Sequence, residues 1–126
     1  MMHDLLVWLY ISNAVLLIDH EIDSAYWKEW ELFKLPGGIT GFLLLHIPLL
    51  FFILVGLVLV TKNLFSGLVF SFILCLGGIF AFVIHTYFLH KGRTEFNKPF
   101  SKILLWLTLL VSMVQLTVSV YLMCVS

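Results

Sequence analysis

From Ile39 to Thr61 the chain contains no Asp, Glu, Lys or Arg. At 1.5 Å per helical residue such a run is long enough to cross a hydrocarbon core about 30 Å thick. Stretches of the same kind cover about 4–27, 64–90 and 100–125. Because lipid offers backbone groups no hydrogen-bond partner, each stretch is expected to be a helix. The breaks between them are explicit: Leu35-Pro36-Gly37-Gly38 cannot continue a helix, Lys62-Asn63 makes a tight polar turn, and Lys91-Gly92-Arg93 through Pro99 makes a longer polar loop. Short connections join antiparallel neighbours, so the expected fold is all-α, an integral membrane protein forming one antiparallel bundle of four transmembrane helices over residues 1–126. With 62% hydrophobic and 11% charged residues, the composition lies outside the soluble range. Seven acids balance seven Lys and Arg, leaving no surplus to attract nucleic acid. The first eighteen residues lack a basic start and a small-residue cleavage site, and read as a retained helix. Cys75 and Cys124 fall at different depths in apolar segments and are expected to pack, not to form a disulfide.

Charge orients the spans. Lys28 and Lys34 flank the first connection, and Lys91, Arg93, Lys98 and Lys102 occupy the third, whereas the opposite side carries Lys62 and the terminal amine. The positive-inside rule then places both termini outside a cytoplasmic membrane. Trp8 marks the outer interface, and Trp27, Trp30 and Trp106 the inner one.

The segment Asp19-His20-Glu21-Ile22-Asp23-Ser24-Ala25-Tyr26-Trp27 sets ionisable groups against an apolar run. With Trp27 at the interface, His20 lies about 10 Å deeper; His46 and His85 fall about 10 and 8 Å down on their own spans. Three spans therefore bring an imidazole to one level. At about 100° per residue, Asn13, Ser24, Trp27 and Glu31 share the face of His20, Asp23 lies near it, and Asp19 and Glu21 fall on the flanks. Ser71, Cys75, Gly78 and His85 form a stripe on span three, and Thr108, Ser112, Gln115 and Ser119 one on span four. Such stripes are expected to face each other. Pro48 removes the hydrogen bond to the carbonyl of Leu44, which could orient His46. His90 is expected at the interface, and His3 at the far end.

The segments HEIDSAYWKEWELFKLPGG, HIP and HTYFLHKGRTEFNKPF resemble the small bacterial four-span membrane proteins of the His-x-x-Glu-Glu group and related families of unknown function. His20 matches the first position of that motif, with Asp23 and Ser24 in place of its two glutamates. The resemblance covers spans one to three and implies no established activity.

Several functions fit these residues. Imidazoles of His20, His46 and His85 with the carboxylate of Asp23 would make an N3O ligand set for zinc or iron. A metal that activates water there would suit hydrolysis or isomerisation of a lipid or prenyl substrate reaching the site laterally, with Asp23, Glu21 or Glu29 as the acid–base group. A second reading is haem ligation by His46 and His85. A third is a binding or transport module with a titratable cavity and no catalysis, and a fourth an accessory subunit that meets a partner helix, or a second copy, through its polar stripes. The plainest alternative makes the histidines interhelical hydrogen-bonding groups, each worth about 0.6 kcal/mol. On that reading Asp23, Glu29 and Glu31 pair at the surface with Lys91, Arg93 and Lys98.

Overall fold

The computed structural model describes residues 1–94 and 97–126; Glu95 and Phe96 of the third motif segment lie outside them. Among the described residues five helices run in the order α1 Met2–Tyr26, α2 Glu29–Leu32, α3 Gly38–Thr61, α4 Phe65–His90 and α5 Pro99–Val125. Four of them are long and apolar enough to cross a membrane, within two residues of the bounds that hydropathy sets. The short α2 is the element that periodicity does not announce.

The long helices close a ring in which α1 and α4 each pack on both α3 and α5. Each connection has a local cause. Lys28 adopts a left-handed conformation (φ 53°) that ends α1 and starts α2, and Gly37 (φ 96°) does the same before α3. Asn63 (φ 55°) closes the turn between α3 and α4, a conformation that asparagine tolerates better than most residues. Immediately after it, Gly67 lets α4 lie against the backbone of α3: a Cβ there would stand 2.7 Å from the Leu59 carbonyl oxygen.

Lipid supplies no apolar driving force between helices, so small residues and hydrogen bonds hold the ring. Tyr10 donates its hydroxyl to the Ile53 carbonyl (2.7 Å), lying over Gly56. At the end away from α2, His3 reaches the Val60 carbonyl (2.7 Å), so it stands apart from the other histidines as expected. Between these ends a layer of neutral polar side chains ties α1, α4 and α5. Asn13 donates to Gln115 (2.8 Å), Gln115 to Ser71 (2.8 Å), and Ser71 pairs with Ser119 (2.7 Å). All four are fully buried. The polar stripes of spans one, three and four therefore face each other.

Candidate functional site

At the α2 end, His20 and His85 lie edge to face with ring centroids 4.6 Å apart, both buried. Their helices carry them there by register: His20 stands seven residues beyond Asn13 on one face of α1, and His85 seven beyond Gly78 on α4. The third member is Glu29, the first residue of α2. Its Oε2 lies 2.9 Å from His85 Nε2 and accepts the Ser24 hydroxyl at 2.8 Å. One ligand atom from each of His20, Glu29 and His85 lies within 4.8 Å of the others.

The tautomer of His85 follows from its partners. Nδ1 sits 2.7 Å from the Ala81 carbonyl oxygen, which can only accept, so Nδ1 carries hydrogen. Nε2 can then either carry a second proton and donate it to the Glu29 carboxylate or, unprotonated, offer a lone pair to a metal ion shared with that carboxylate. The set of two nitrogens and one carboxylate oxygen, drawn from three helices, fits a zinc or iron ion on this ground. The Ala81 carbonyl is the partner that orients such a ligand.

His46 forms a second pair of the same design. Nδ1 meets the Phe42 carbonyl (2.7 Å), and Nε2 meets Glu21 Oε2 (2.5 Å). The orienting carbonyl is therefore that of Phe42, one turn back on α3, and not the one freed by Pro48, which lies on the exposed side. His46 is thus engaged by Glu21 while His85 is engaged by Glu29. Glu21, expected on a flank toward the headgroups, turns inward because α3 presents an imidazole to it.

Asp23 does not reach the trio. Its Oδ1 accepts the Trp27 indole N–H (3.0 Å) one turn on, and Oδ2 is buried without a hydrogen-bond partner among the described residues. Glu29 likewise departs from the surface pairing expected for it, since its carboxylate turns into the bundle toward His85. Burial pushes the Glu29 carboxyl up, but the hydrogen bonds from His85 and Ser24 outweigh that effect and hold it below the usual carboxylate range. Sequence offered one signal for this placement: a glutamate two residues after the end of span one, with Lys28 available to turn the chain.

A cavity of about 480 Å³ opens from this site into the bundle. His20, Glu21, Glu29 and His85 line it at the α2 end, and apolar side chains including Phe52, Ile73 and Phe80 line the rest. Ile73 is 12 residues below His85 on α4, or about 18 Å along the helix. Phe80 and Ile73 are 63% and 45% exposed, so the wall between α3 and α4 borders lipid.

No curated protein and no solved structure matches the chain. The profile of one family does match, over residues 6–122, which takes in most of α1 and α5, all of α3 and α4 and the whole of the site. The chain belongs to that family, a family of unknown function (DUF6713).

Proposed function

We propose that this chain is a protein of the cytoplasmic membrane that binds a transition metal, zinc or iron, through His20, Glu29 and His85. The adjoining cavity would hold the hydrocarbon chain of a lipid or prenyl-type substrate. The observation that carries this reading is the His85–Glu29 contact: a lone pair and a carboxylate brought together at the head of an apolar slot. Its volume lies within the range of about 300–1,000 Å³ usual for small-molecule sites. A bound metal would supply Lewis acidity to the polar end of the substrate. The chain's own residues do the rest. Ala81 and Ser24 fix His85 and Glu29, and Glu21, steadied by His46, offers a carboxylate on the cavity wall that can take or return a proton. Hydrolysis or isomerisation of the substrate's polar end is the reaction class that suits this set.

Two further observations support the reading. Two carboxylates, those of Glu21 and Glu29, line the cavity beside the His20 and His85 imidazoles. The basic residues at the α2 end favour a cytoplasmic position for the site, with both termini outside. The test is elemental analysis of the detergent-purified protein beside Glu29→Gln. Near-stoichiometric zinc or iron in the wild type and its loss in the variant is the expected result; equal, negligible metal in both would sink the metal reading.

The twin His–Glu pairs favour a second reading, in which a proton and not a metal bridges each pair. The cavity is then a metal-free module that binds a small molecule or passes protons. Ligand binding or proton flux in protein with no metal would favour it.

A further inference from the structure

Across α4 from that cavity, a separate hollow of about 280 Å³ lies between α4 and α5 at the same end of the bundle. Its floor includes Phe82 and Trp106, packed edge to face with centroids 4.8 Å apart. Its polar lining is Thr86, His90, Asn97 and Lys102. Each of these can donate a hydrogen, and none is acidic. The surrounding chain reinforces this. Residues 91–102 hold four cations, Lys91, Arg93, Lys98 and Lys102, against one acid, Glu95, a local net of +3 in a chain whose total is +0.

The hollow therefore joins two environments. Its donors sit where α4 ends and α5 begins, and its aromatic floor lies one to two helical turns further from that end, at the depth expected of an interfacial tryptophan, where Trp106 is more than half exposed. A free anion would use the rim and gain nothing from the floor. An apolar chain would use the floor and leave the donors idle. A molecule with a phosphodiester at one end and acyl chains at the other uses both.

We infer that this hollow is a binding site for an anionic glycerophospholipid, its phosphate held by Lys102, His90 and Asn97 and an acyl chain lying along Phe82 and Trp106. Basic pockets between transmembrane helices favour such lipids by charge as well as by shape. The site is independent of the metal reading, because α4 separates it from the cavity at His85.

The test titrates the full-length, detergent-purified protein with phosphatidylglycerol and with phosphatidylcholine of the same acyl chains, read by native mass spectrometry. Phosphatidylglycerol should bind about five-fold or more in preference, the scale set by one lysine at a membrane surface. Lys102→Gln combined with His90→Gln should bring the ratio close to one, while Lys62→Gln, at the opposite end, should leave it unchanged. Leu105→Trp, which fills the hollow and keeps its charges, should also abolish the preference; circular dichroism verifies that each variant is folded. Equal binding of the two lipids by the wild type, or a preference that survives both the double variant and the filling variant, would overturn the inference. So would displacement of the lipid by an equal concentration of inorganic phosphate, which would make the hollow a site for a free ion.

Discussion

His85 Nε2 lies 2.9 Å from Glu29 Oε2 across 56 positions of sequence, and that contact joins α4 to the turn that follows α1. It fixes both the chemistry of the site and the fold of the first connection. Removing either partner should therefore show in function and in the local structure of α2.

Metal content should separate the trio from the other candidates. His20→Ala, His85→Ala and Glu29→Gln are expected to lose bound metal, whereas Asp23→Asn, whose carboxylate serves Trp27, and His46→Ala, whose ring serves Glu21, are expected to keep most of it. Inductively coupled plasma mass spectrometry of the purified variants measures this. Retention in the first three with loss in the last two would reverse the assignment.

The buried polar layer should behave as a cooperative unit. Gln115→Leu takes from Asn13 Nδ2 its acceptor and from Ser71 Oγ one of its two partners, leaving it Ser119, and should cost about 1–3 kcal/mol. A double-mutant cycle of Asn13→Ala with Gln115→Ala should give a coupling of about 0.6 kcal/mol, the usual value between polar residues in a membrane. Unfolding in mixed detergent micelles measures both.

Glycines should differ by what surrounds them. Gly67→Ala presses a methyl on the backbone of Leu59, which cannot swing away, and should destabilise by about 1–3 kcal/mol. At Gly77 a Cβ would meet nothing within 4 Å, so Gly77→Ala should be neutral or stabilising by up to about 1 kcal/mol through helix propensity. Thermal unfolding of the two variants in one detergent gives the order directly.

Acid should release α2 in protein stripped of metal. The Glu29 carboxyl titrates lower in the folded chain than in the unfolded one, so its contribution is fully present above the unfolded value and is lost as pH falls through the folded one. The unfolding midpoint should therefore drop at the acid end of the carboxylate range, and Glu29→Gln should remove that part of the pH dependence. A wild-type and variant profile with the same acid limb would show that Glu29 is not the group responsible.

Sequence alone determined the four spans, their bounds and the faces that meet. Helix length is set by bilayer thickness, and lipid forces polar residues at helical spacing to seek each other, so Asn13, His20 and Ser24 on α1, Ser71 and His85 on α4, and Ser112 and Gln115 on α5 could be placed on buried stripes before any coordinates. Tertiary structure decided which acid serves which imidazole. Helical angle favoured Asp23 near the face of His20 and put Glu21 on a flank, but angle is measured on one helix, whereas a carboxylate goes to the donor that a neighbouring helix presents. His46 on α3 draws Glu21 inward, Trp27 takes Asp23, and the left-handed turn at Lys28 swings Glu29 back under His85. Periodicity carries no information about that turn, because a single backbone conformation outside the helix redirects everything that follows it.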